Sequence, residues 1–227
     1  MNSSHKNAGI SPDASTREAG MAPAVLGRRQ RKARETRVRL FRTALQLFAD
    51  RGFQNVTVED ITEAADVGKG TFFNYFPSKE HVLGVMAEIQ LGKFEETAAR
   101  VAEGTEPLYP VLHRLVQRLG EEPGRSPKLA RALLSSFLGS ENVRGILKRK
   151  LVEGRKAIAE VVRIGQERGE INPALKKEKV AMQFLQMMLG TVLLWSLHEK
   201  PALTHWLEDS FDHAWRAIAT PGKQQKP

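Results

Sequence analysis

Apolar residues recur along this chain at spacings of three and four, the period of an α-helix, and no run alternates as a strand would. Between Lys32 and Arg51, Val38, Phe41, Leu45 and Phe48 fall on one stripe, and Gly52 follows as a terminating glycine. A second, short helix opens at Thr57. Asp60 stands three residues on as its reciprocal capping partner, and Val56 and Ile61 form a hydrophobic staple. Ile61, Ala64 and Ala65 make its inner face. The turn Asp66-Val67-Gly68 offers residues that tolerate positive φ. The third helix, Lys69–Phe76, sets Phe72 and Phe76 on one side. After Pro77, Ser78 caps a long helix running to about Glu103, with Val82, Leu83, Met86, Ile89 and Phe94 as its apolar positions. Pro107–Leu119, Pro127–Gly139, Val143–Arg168, Lys177–His198 and Leu203–Ala219 complete the series, separated by Gly and Pro clusters. The pattern predicts an all-α chain.

The third helix has a second face. With Phe72 and Phe76 turned inward, Gly70, Thr71, Phe73 and Asn74 point outward and Tyr75 sits at the edge. Four aromatics at these positions cannot all enter one small core, so this is the layout of a helix-turn-helix that reads a major groove. Charge supports that reading. The chain carries a net charge of +9, and from Arg28 to Lys79 eleven Lys/Arg stand against six Asp/Glu, so over half of the excess surrounds the motif. Arg28, Arg29, Arg31, Lys32, Arg34 and Arg37 form a basic arm that can enter a minor groove or add counterion release.

Other features exclude whole classes of function. The absence of cysteine rules out disulfides, thiol catalysis and Cys-ligated zinc, and fits a reducing cytoplasm. No His and carboxylate grouping has metal spacing, and no nucleophile elbow or P-loop is present, so neither a metal, a cofactor nor an enzymatic activity is expected. Val180–Leu197 is eighteen uncharged residues, the lower limit for a membrane span. Gln183, Gln186, Thr191 and Ser196 interrupt it, and a helix apolar nearly all round also results when one side meets the core and the other a second subunit. An interface helix is the expectation.

The stretch from Arg39 to Leu83, with A-L-Q-L-F-A-D-R-G-F, then T-V-E-D-I, then G-K-G-T-F-F-N-Y-F and P-S-K-E in order, resembles the DNA-binding domain of TetR-type transcriptional regulators. The resemblance implies an Ω-shaped homodimer: a three-helix DNA-binding head, a helical ligand domain, and dimerisation through the last two long helices. Residues 1–27, rich in Ser, Asn, Ala, Gly and Pro, read as a disordered leader; the head (28–79), an effector-binding and dimerisation domain (80–221) and a tail (222–227) follow. Carried over by position, the resemblance implies DNA contacts from Thr57, Gly68, Lys69, Gly70, Thr71, Phe73, Asn74, Tyr75 and Lys79, with Arg31 and Arg34 from the arm. Thr57, Tyr75 and Lys79 would meet phosphates. Asn74 suits adenine or a phosphate, and Phe73 a thymine methyl. Two departures stand out: Phe73 replaces the frequent tyrosine, and the turn has Asp66 where glycine is usual and Gly68 where a hydroxyl residue is usual.

In the C-terminal part, Leu134, Phe137, His113, Met187, Met188 and Trp195 are candidate effector-pocket residues, and Leu189, Val192, Leu193, Trp206, Phe211 and Trp215 candidate dimer contacts. Three function classes follow. The first is a dimeric repressor released from a palindromic double-stranded operator by a small apolar or amphipathic effector. The second is a constitutive or architectural DNA-binding protein without effector. The third is an all-α carrier or enzyme.

Overall fold

The computed structural model describes residues 27–198 and 200–221. The expected leader, Gly27 excepted, and the expected tail lie outside the described residues. Within them the chain forms α1 (Arg28–Arg51), α2 (Val58–Ala64), α3 (Lys69–Phe73), α4 (Lys79–Glu103), α5 (Leu108–Gly120), α6 (Pro127–Gly139), α7 (Glu141–Glu167), α8 (Lys177–Ser196) and α9 (Leu203–Ile218). Short 3-10 turns occupy Phe53–Asn55 and Pro123–Arg125. The described residues contain no strand, only an isolated bridge between Ile171 and Ala219. None of these helices is long and apolar enough to cross a membrane.

Helix boundaries follow the sequence pattern except where burial was not what made the helix. α1 begins at Arg28, four residues before the expected Lys32, because Arg, Lys, Gln, Ala and Glu are strong helix formers that need no buried face. The stripe itself is shifted: Leu40, Ala44, Leu45 and Phe48 are buried, whereas Val38 is 40% exposed. In α2 the inner face holds Ile61 and Thr62 and not Ala64, and the Thr62 hydroxyl returns to Glu59 O at 3.0 Å. α3 stops at Phe73, three residues early, because Pro77 disfavours helical geometry at Phe76. Phe72 and Phe76 are nonetheless both fully buried. In α4, Ile89 faces outward and Leu91 takes its place in the interior.

Two apolar cores result. The first gathers Leu40, Phe48, Phe53, Ile61, Phe72 and Phe76 of the N-terminal helices together with Val82, Leu83 and Met86 of α4, Leu129, Ala132 and Leu133 of α6, and Val143 of α7. The second joins Phe94 and Val101 of α4 to α5, α7, α8 and α9. Ala130 adds α6 to the second core, so α4, α6 and α7 belong to both. α4 and α7 run in the same direction at close range: a Cβ on Gly84 would lie 3.7 Å from Ile146, and one on Gly154 3.6 Å from Phe94.

Phe211 and Trp215 of α9 pack inside the subunit, in an aromatic cluster with Tyr109 and His113 of α5. Tyr109 donates to Asp212 at 2.7 Å, and burial followed by that bond raises its pKa to about 12. At the far end of α7, Gly165 admits Leu108 and Ile171, both fully buried. A methyl group there would meet Leu108 Cδ1 and lie 2.8 Å from Ile171 Cδ1. Gly165→Ala is expected to destabilise the chain by about 1–3 kcal/mol through overpacking, read as a lower urea midpoint at unchanged slope.

Candidate nucleic-acid interface and ligand cavity

The α2–α3 unit is held by its own capping chemistry. Thr57 accepts from the Asp60 N–H at 3.1 Å, while its N–H and hydroxyl both donate to Asp60 Oδ2 at 2.7 Å. The Thr57 hydroxyl bond, then the Thr57 N–H and Arg51 at 3.2 Å, hold the Asp60 carboxyl below the usual range. Thr57, expected to meet a phosphate, thus spends its donor inside the motif. In the turn only Asp66 carries positive φ, at 50°; Gly68 is extended at φ −73°, ψ 154°, so its glycine is not required by backbone geometry.

Lys69, Gly70, Phe73 and Asn74 are exposed, and Thr71 and Tyr75 half-buried. Phe73 is 52% exposed and touches Phe72 edge-on at 5.6 Å. A large ring so placed has no role in the core. Lys69 is ion-paired with Glu59, whose pKa is lowered first by the Lys69 hydrogen bond. Behind the motif, the first twelve residues of α1 have no buried member, and Arg31 and Arg34 stand in solvent, Arg31 4.0 Å from Glu35 on the same helix. Arg37 lies 6.0 Å over the Phe76 ring, tying α1 to the segment that follows α3.

Lys79 departs most from expectation. Its ammonium donates to the carbonyls of Phe53 at 3.0 Å, Gln54 at 3.4 Å and Val56 at 2.8 Å, and sits 4.7 Å over the Phe53 ring. An ammonium has three donors, and all three are committed. Lys79 is an internal tie between the start of α4 and the 3-10 turn, not a free phosphate anchor.

A second site lies between α4, α6, α7 and α8: an apolar cavity of about 170 Å³. Of the residues expected from sequence to form an effector pocket, Leu134, Phe137 and Met188 line it. His113, Met187 and Trp195 do not. His113 packs against Tyr109 and Phe211, Met187 packs against the second core, and the Trp195 indole donates to Pro201 O at 2.9 Å. Leu83, Met86, Gln90, Ile146, Leu147 and Lys150 enter the lining without having been singled out. The missed signal was the polar Gln90 among the apolar positions of its helix; for α7, periodicity marks a buried face without saying what it borders.

The sequence profile of bacterial regulatory proteins of the tetR family matches residues 40–86. Over 167 residues the chain is 34% identical to the HTH-type transcriptional regulator TcmR of Streptomyces glaucescens, covering 63% of this chain and 69% of TcmR. The chain belongs to the TetR family. The FadR repressor of Thermus thermophilus, a TetR-family protein solved with lauroyl-CoA, superposes with a TM-score of 0.56 at 30% identity, covering 78% of this chain and 92% of FadR. SmeT of Stenotrophomonas maltophilia, the repressor of a multidrug efflux pump, shares the fold at a TM-score of 0.68 and 16% identity, over 86% of this chain and 95% of SmeT.

In this TetR-family chain the expected dimer residues divide. Phe211 and Trp215 are buried within the subunit, and Val192 is half-buried on the cavity wall, so none of the three is a free surface residue. Trp206 stacks on His198 at 5.3 Å. Leu189 and Leu193 are exposed on α8, as are Met182 and Leu194, with exposed Leu197 just past its end.

Replacing Lys79 by Met leaves the carbonyls of Phe53, Gln54 and Val56 without their donor. The expected outcome is a loss of about 1–3 kcal/mol in stability and weaker binding to all DNA with an unchanged salt slope. Anisotropy titrations at several salt concentrations check it; a slope reduced by about one would restore a phosphate contact.

Proposed function

We propose that this TetR-family regulator is a homodimeric repressor that grips a palindromic operator and lets go when a small apolar or amphipathic effector enters the α4–α8 cavity. The observation that carries the proposal is shared packing. Leu83, Met86, Leu133 and Val143 line the cavity and also belong to the core of the N-terminal head. A ligand that displaces these side chains acts directly on the helices that hold the head, since packed cores switch between arrangements and do not deform freely. Lys79 then carries any shift of α4 to the 3-10 turn beside α2. Two heads must meet half-sites ~34–36 Å apart, so a small change in their spacing releases DNA. T. thermophilus FadR with the amphipathic lauroyl-CoA and SmeT with the largely apolar triclosan, both TetR-fold proteins, are consistent with an effector of this class.

On the DNA side we assign the reading role to Phe73 and Asn74, and phosphate contacts to Lys69, Gly70, Thr71 and Tyr75 with Arg31 and Arg34 on the flank. We keep the head at residues 28–79, although its core also takes Val82, Leu83 and Met86 from α4. The second subunit would cover Leu189 and Leu193 on α8 and Leu197 just past its end, an apolar face long enough for a paired-helix seam.

A footprint of the purified protein on its own flanking DNA should protect an imperfect palindrome; uniform coverage would favour an architectural protein instead. Asn74→Ala is expected to cost about 1–3 kcal/mol on the specific site and relax preference at one base pair. Equal losses on specific and random DNA would remove it as a base reader. Leu134→Trp, which fills the cavity, should leave operator binding intact while abolishing release by lipophilic compounds, as measured by anisotropy.

A further inference from the structure

The cavity lining contains only two polar side chains, Gln90 and Lys150. Lys150 donates to Glu153 at 3.1 Å on the surface of α7. Gln90 is different. Its amide nitrogen donates to Leu119 O at 3.3 Å, at the C-terminal end of α5, and its Oε1 is buried without a hydrogen-bond partner. The orientation of the amide is set by chemistry: Leu119 O can only accept, so the nitrogen must face it and the oxygen must be the other edge. An unpaired buried carbonyl oxygen is costly, and structures seldom retain one without a use. Leu119 itself lines the same cavity, as do Leu91 and Phe94 beside Gln90 on α4, so Gln90 stands at an otherwise apolar wall with its Oε1 covered, and a ligand reaches that oxygen by turning the side chain.

Building on the reading of this cavity as the effector site, we infer that Gln90 is its specificity-determining residue and that the effector is a largely apolar molecule carrying one hydrogen-bond donor, a hydroxyl or N–H, that pairs with Gln90 Oε1. A site with an unpaired acceptor discriminates in one direction. It accepts a donor-bearing ligand and rejects an isosteric one that leaves the oxygen unsatisfied. The donor requirement also locates the ligand. Its polar end is held at the α4–α5 junction, and its apolar body extends toward Leu133, Leu134 and Phe137 of α6.

The test uses three probes of nearly one shape: biphenyl, 4-fluorobiphenyl and 4-phenylphenol, of which only the last can donate. Their dissociation constants are measured by calorimetry on the full chain, on Gln90→Leu and on Gln90→Met. The ratio of the 4-fluorobiphenyl constant to the 4-phenylphenol constant is expected to fall about tenfold from the wild type to either variant, about 1.4 kcal/mol of coupling. Retained biphenyl binding shows that each variant keeps a folded cavity, and the second variant decides if the first does not fold. A ratio that changes less than about twofold in the folded variant overturns the role of Gln90 and leaves the cavity reading standing. If none of the three probes binds the wild type, or if binding survives Leu134→Trp, the cavity reading fails and this inference fails with it.

Discussion

Helix α4 is one rod of 25 residues that contributes side chains to two separate cores. At 1.5 Å per residue it spans about 37 Å, so its ends are packed by different neighbours. At the first end Val82, Leu83 and Met86 close the head, and Lys79 pins the helix to three carbonyls of the 3-10 turn. Further along, Phe94 meets Phe184 edge-on at 6.3 Å and packs against Gly154. A stiff element held at both ends cannot shift in one core without disturbing the other, and the cavity lies against its middle.

That arrangement explains why the cavity walls are so apolar and why they include residues of the head. α6 and α7 enter through the same region: Leu133 and Val143 face the cavity and the head core at once. Space beside a shared core is a sensitive place for a ligand, because interiors are close-packed and volume beyond what the cavity holds must be accommodated by moving a helix. The short α2–α3 unit has little apolar area of its own. It relies on the Thr57–Asp60 box, the Lys69–Glu59 pair and the Phe72–Phe76 contact with α1 and α4. It is positioned by what it packs on.

Much of this was legible in the sequence, for identifiable reasons. The capping box, the Phe72/Phe76 stripe and the start of the long helix after Ser78 are local patterns read within a few residues. The places where reading failed involve contacts between distant segments. Lys79 read as a free cation because nothing nearby in sequence says that the carbonyls of Phe53, Gln54 and Val56 converge on it. Phe211 and Trp215 read as an interface because their partner helix, α5, lies about a hundred residues away. His113 read as a pocket group, yet its neighbours are the rings of Tyr109 and Phe211.

The sequence by itself determined that the chain is helical, where most helices begin and end, and that a basic head carries an outward-facing Phe73 and Asn74. Those properties follow from helical period, caps and charge, all of which act over a few residues. Only the tertiary structure decided which apolar faces meet each other, which enclose the cavity and which remain on the surface of α8. Periodicity gives a helix an inner side but not a partner, and the partner determines whether that side becomes core, cavity wall or exposed surface. Gln90 shows the difference: in sequence it is one polar residue on a long helix, and in the fold it is a buried acceptor at the wall of an apolar cavity.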